Sequence, residues 1–180
     1  MKKMFRVKIL ICVVSILCLL SFNASAAVEE GAVEKSSSAL VKLQLMKGDG
    51  AGNLNLENPV TRCEFLTLII RMMGYDKTVD AGDTDISFTD LKESHWAYNN
   101  IRIAVKKGLI KGYLDNTVGA DNYVTYAEAQ TIIIRALGYE KKLEGTWPDN
   151  ILAKAVELGL DRSIEVPRDK QLSRGEASIL

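Results

Sequence analysis

A chain of 180 residues with a mean hydropathy of +0.02 is long enough for one domain with a core, or for a few small repeats sharing one. Its 23 basic side chains balance 23 acidic ones, which excludes strong non-specific attraction to nucleic acid or to anionic lipid. It has three cysteines, Cys12, Cys18 and Cys63, and a single histidine, His95; if the first two lie in a cleaved segment, no internal disulfide or multi-cysteine metal site can form.

The first element is a targeting segment. Lys2, Lys3, Arg6 and Lys8 precede an apolar run from Ile9 to Leu20, and small residues follow at Ala24 and Ala26. This pattern predicts a secretory signal peptide over residues 1–26, cleaved before Ala27. The run is shorter than the roughly twenty residues of a membrane-spanning helix, so no span is expected after cleavage. A lipoprotein signal at Cys18 is disfavoured because Leu17 is too large for the residue that precedes such a cysteine. Cleavage removes four basic residues, leaving 23 − 4 = 19 against 23 acidic ones. Any anionic partner must then be gripped by placed groups rather than by overall charge. Cys63, now alone, reads as a small core residue.

Beyond the signal the chain repeats itself. A shift of 64 superimposes Val60-Thr61 and Glu64 on Val124-Thr125 and Glu128, Ile69-Ile70-Arg71 on Ile133-Ile134-Arg135, and Gly74-Tyr75 on Gly138-Tyr139. The same register pairs Val41-Lys42 with Val105-Lys106 and Lys47-Gly48 with Lys111-Gly112. A third copy shows in Ala155-Val156, Gly159-Leu160 and Ser173 with Glu176, across a slightly shorter loop. The copies predict three units: residues 27–75, 88–139 and 147–180, joined by polar linkers at 76–87 and 140–146. Units this small cannot each bury an apolar face alone and must pack on one another.

Each unit reads as helix, loop, helix. Ile101, Ala104, Val105 and Leu109 fall at helical spacing, and Gly108 and Gly112 permit the chain to reverse. The loop to Val124 is rich in Asp, Asn and Gly, as turns require. A second helix is predicted from Thr125 to Gly138, although its β-branched residues make a strand the competing reading. Cap chemistry decides for helix. Thr61 with Glu64, Thr125 with Glu128, and Ser173 with Glu176 each match a capping box, in which hydroxyl and carboxylate satisfy each other's backbone amides.

Taken together, Phe88-Thr89-Asp90, Ser94-His95-Trp96-Ala97, Ala104 to Tyr113, and Val124-Thr125 with Ala127-Glu128 through Gly138 closely resemble an S-layer homology motif. The first and third units are similar to weaker members of that family. The resemblance implies an all-α fold: three motifs in a pseudo-threefold, three-pronged bundle with ligand grooves between prongs. It also implies secretion to the cell wall and anchoring on a secondary cell-wall polysaccharide, an anionic and often pyruvylated glycan attached to peptidoglycan. The family's Thr-Arg-Ala-Glu element supplies an arginine to that ligand. It falls on Thr61-Arg62-Cys63-Glu64, Thr125-Tyr126-Ala127-Glu128 and Ser173-Arg174-Gly175-Glu176.

Arg62 and Arg174 are therefore the expected ligand contacts. A guanidinium forks onto a carboxylate, and the first turn of a helix is expected to add unpaired amides. Tyr126 cannot balance an anion but can donate a hydrogen bond or stack on a sugar. Trp96 reads equally as core or as groove lining. Asp90 is expected to cap or brace the first helix, with a ligand role possible, and His95 to serve as a loop hydrogen-bonder with no sulfur or imidazole companion. Arg71 and Arg135, near helix ends, are explained by the negative helix terminus.

The third unit stops at Leu180, part-way through its second helix, so a continuation and a cargo domain beyond it are expected. Asp49 to Asn55 loosely suggests a calcium loop, but Leu54 and Val60 stand where glycine and glutamate belong. No catalytic constellation, metal site or cofactor is expected. The alternatives are an envelope protein-assembly module, or the anchoring part of a larger wall hydrolase.

Overall fold

The computed structural model describes residues 31–78 and 84–180. The expected signal peptide lies outside these, as does the middle of the first expected linker. Among the described residues the structure is all-α, with isolated β-bridges in place of sheet. In chain order the helices are α1 (Ala32–Lys42), α2 (Arg62–Met72), α3 (Tyr75–Thr78), α4 (Tyr98–Lys106), α5 (Tyr126–Ala136), a 3-10 turn at Glu140–Lys142, α6 (Asp149–Leu158) and α7 (Arg174–Ser178). The segments read as linkers thus carry helical turns of their own, α3 and the 3-10 turn. In the latter, Glu140 is held back onto α5 by Arg135 at 2.7 Å.

The two helices of a unit differ in burial, and the sequence explains why. α4 is amphipathic, burying Ile101, Ile103 and Ala104 and leaving Asn99, Lys106 and their neighbours to the solvent side. α2 and α5 are apolar over most of their circumference, and each buries eight of its eleven residues. Each keeps only a narrow polar stripe, Glu64, Thr67 and Arg71 or Glu128, Thr131 and Arg135, and a helix with so wide an apolar surface has to sit inside. The second helices therefore form the interior and the first helices pack outside them. The strand alternative for these β-branched stretches fails at their starts. Thr61, Thr125 and Ser173 are extended N-caps, each in a complete capping box.

Packing follows a cyclic order. α2 of the first unit packs on α4 of the second, α5 of the second on α6 of the third, and α7 of the third on α1 of the first. The backbone closes the same cycle, with its bonds donated the opposite way round. The residue before each cap donates its amide to the residue before another cap: Val60 to Leu172 at 2.9 Å, Leu172 to Val124 at 3.0 Å, and Val124 to Val60 at 3.0 Å. All three residues are buried, so this closed ring satisfies polar groups that water cannot reach. Their side chains belong to the one large core, with Phe65, Leu66, Ile70, Ile101 and Ile132.

An outer layer of bonds runs round the ring in the opposite sense. The first two amides of α2 bond to the carbonyls of Asn122 and Ala120, those of α5 to Lys170 and Arg168, and those of α7 to Asn58 and Leu56. This corrects the expectation of unpaired first-turn amides facing a ligand. The loop of a neighbouring unit has already taken them, because helix starts buried at a centre must be satisfied by protein.

Candidate functional site

Each helix start carries one residue at its first position that reaches across to a neighbouring unit. Arg174 places Nη1 2.8 Å from Glu64 Oε1, and Arg62 places Nη1 3.4 Å from Glu128 Oε1. A cation from one unit thus meets the capping-box glutamate of another. Tyr126 breaks the series, and there Lys170 takes the remaining glutamate, with Nζ 2.5 Å from both oxygens of Glu176. Burial pushes the Glu176 carboxyl up, but the Lys170 ammonium and the Ser173 amide outweigh it and hold it below the ordinary value.

The three junctions differ in what lies over the ion pair. Over the junction of the third and first units a cavity of about 260 Å³ is lined by Lys47, Glu64, Thr67, Arg71 and Arg174, among others, and by Trp96 of the second unit. Trp96 is 60 % exposed, so it borders this cavity and is not part of the core. Arg174 uses three of its five N–H donors, on Glu64 and on the carbonyls of Leu54 and Lys47, so others remain for a further acceptor. Arg71 donates to the Leu45 carbonyl at 3.1 Å and has no carboxylate partner among the described residues. Its counterpart Arg135 is neutralised by Glu140, with Nε and Nη2 at 2.8 and 2.7 Å. Both arginines also tie the carbonyl that follows a first helix, Leu45 or Leu109, rather than their own helix terminus. Three cations against one carboxylate give this groove a positive surplus.

Between the first and second units Tyr113 lies over the ion pair. The Tyr113 hydroxyl donates to Glu128 Oε1 at 2.5 Å, and its ring lies over the Arg62 guanidinium at 5.1 Å. Burial and this bond to a carboxylate push the Tyr113 phenol up to about 12. Arg62 is only 6 % exposed, and its Nε has no partner. At the junction of the second and third units Tyr126 is buried, lining a cavity of about 370 Å³ with Leu152, Ile164 and Arg162.

Asp90 accepts from the amides of Val118 and Gly119 at 2.8 and 2.7 Å. It braces the loop between α4 and α5 instead of capping α4, whose cap position is Ala97. Asp49 spends its oxygens on the Ala51 and Asn53 amides and on Asn55, closing its own loop, and the Asn53 amide contributes most to holding its carboxyl low.

His95 does have a sulfur companion, contrary to the sequence reading, since folding brings Cys63, His95 and Asp121 donor atoms within 4.8 Å of one another. The tautomer works against a metal. Nδ1 accepts the Ala97 amide at 3.1 Å, so Nε2 carries the proton and donates to Asp121 at 3.2 Å. Burial pushes the Cys63 thiol up, keeping it protonated.

Sequence reasoning missed Lys47, Arg71, Tyr113, Lys170 and Trp147. Trp147 is 58 % exposed and donates from Nε1 to Thr131, the counterpart of Thr67, at 2.9 Å. The register that aligns Ala104 with Ala155 also aligns Trp96 with Trp147, and was the available signal.

The chain carries an S-layer homology domain, matched over residues 87–129. It is 36 % identical over 137 residues to the middle cell wall protein of Brevibacillus brevis, covering 76 % of this chain and 13 % of that one. It is 34 % identical over 144 residues to a surface layer protein of Brevibacillus choshinensis, covering 80 % and 13 %. A cellulosome-anchoring protein of Acetivibrio thermocellus matches at 33 % over 99 residues, covering 55 % and 22 %. The chain thus spans about an eighth of the length of the first two relatives. No helix among the described residues is long and apolar enough to cross a membrane.

Proposed function

We propose that this chain is a non-covalent anchor, exported by its signal peptide, that holds a protein on a bacterial cell surface by binding an anionic glycan of the wall. Its three units are arranged around the backbone ring as a pseudo-threefold bundle, and the ligand sits at the seam between third and first units. The observation that carries this reading is the groove holding Arg71, Arg174 and Lys47 beside an exposed Trp96. An indole offers a flat face to a sugar ring, and guanidinium groups offer forked donors to a carboxylate such as that of a pyruvyl ketal. The relatives named for cell wall, surface layer and anchoring support the cell-surface role.

Co-sedimentation of the secreted chain with purified walls tests it. Native walls should pellet the protein, and walls stripped of acid-labile polymer should leave it in solution. Trp96→Ala and Arg71→Gln, both at the groove surface, should each weaken pelleting by about tenfold or more, the loss of one good contact. Equal pelleting with stripped walls overturns glycan recognition in favour of protein assembly.

A further inference from the structure

The two arginine junctions are chemically alike but differ in the residue that follows the glycine of the loop. In the first unit it is Asp49 and in the second Tyr113, at equivalent positions of the 64-residue register. Asp49 folds back on its own loop through the Ala51 and Asn53 amides and the Asn55 side chain, and leaves Arg174 and Glu64 uncovered. Tyr113 does the reverse. Its hydroxyl takes the Glu128 oxygen that faces Arg62, and its ring covers the guanidinium. The side-chain exposures follow: 17 % for Arg174 against 8 % for Arg62, and 32 % for Glu64 against 17 % for Glu128.

We propose that Tyr113 is a specificity-determining residue that closes the seam between the first and second units, so that the chain offers one anion seat, at Arg174, instead of two. Resting on the glycan-anchor reading above, this adds which seam is used and what shuts the other. The buried Arg62 Nε without a partner fits a seat whose acceptor has been displaced. A phenol suits the task because it is flat enough to stack on a guanidinium and carries one donor, which the carboxylate takes. Gly112 fixes the loop that delivers it. With φ at +75° and Phe88 and the Thr117 carbonyl where a Cβ would stand, the position takes only glycine without strain.

Calorimetric titration with an N-acetylhexosamine methyl glycoside carrying a 4,6-linked pyruvyl ketal tests the idea. The unmodified chain should bind about one equivalent, and Arg174→Gln should abolish it. Tyr113→Ala should raise the stoichiometry to about two, and Tyr113→Ala with Arg62→Gln should return it to about one. Tyr113→Phe keeps the ring over Arg62 and should stay near one, which separates covering from the hydroxyl bond. Two equivalents on the unmodified chain, or one on a folded Tyr113→Ala variant as judged by its circular dichroism, overturns the inference while leaving the anchor reading intact. No binding by the unmodified chain defeats the ligand class itself, and the inference with it.

Discussion

Replacing Lys170 by methionine isolates the one junction where the arginine series is broken. Glu176 has 14 % of its side chain exposed and accepts two bonds of 2.5 Å from Lys170, besides one of 2.8 Å from the Ser173 amide. At a separation of about 3 Å and an effective dielectric near 20, the gross attraction is about 5 kcal/mol. Most of this is offset by desolvation and by freezing a lysine that remains 39 % exposed. A net loss of about 1–2 kcal/mol is expected, or roughly 3–6 °C in Tm for a chain of this size.

The pH dependence identifies the cause. The folded Glu176 carboxyl titrates below its ordinary value, so its contribution is present above the unfolded pKa and disappears as pH falls through the folded one. Thermal melts at pH 7 should separate Lys170→Met from the parent, and melts near pH 3 should narrow the gap between them. Adding Tyr126→Arg to Lys170→Met, which rebuilds the pattern of the other two junctions, should recover part of the loss at pH 7. A Tm difference of the same size at both pH values would refute the ion-pair account and leave packing of the lysine stem as the cause.

Two further measurements probe the same frame. Gly112→Ala should cost more than Gly108→Ala by denaturant melts, about 3 kcal/mol against about 1. Both have positive φ, at +75° and +71°, but only at Gly112 would the new methyl run into the Phe88 ring and the Thr117 carbonyl. Tyr113 should be the last tyrosine to ionise in an alkaline difference-absorbance titration, near pH 12. Because its folded pKa lies above the unfolded value of 10, its stabilisation is complete below pH 10 and is lost as pH rises towards 12. With Tyr113 partly exposed the loss is screened to about 1 kcal/mol, and Tyr113→Phe should remove it.

The sequence alone determined what is local or repeated. Hydroxyl and glutamate three residues apart set three helix starts, because a capping box is satisfied within four residues of chain and needs no partner elsewhere. The apolar stripe of the second helices marked the face they bury, and the 64-residue register made the second unit a guide to the first. Only the tertiary structure decided the fate of the groups at those helix starts. Their amides went to loops of neighbouring units, Arg62 went under Tyr113 while Arg174 stayed open, and Lys170 replaced the arginine missing at position 126. Arg174 and Glu64 stand 110 residues apart, and no pattern in the chain announces such a pair. Partners of this kind exist only once the ring closes, when burial forces each charge and each amide to find the nearest acceptor that the neighbouring unit supplies.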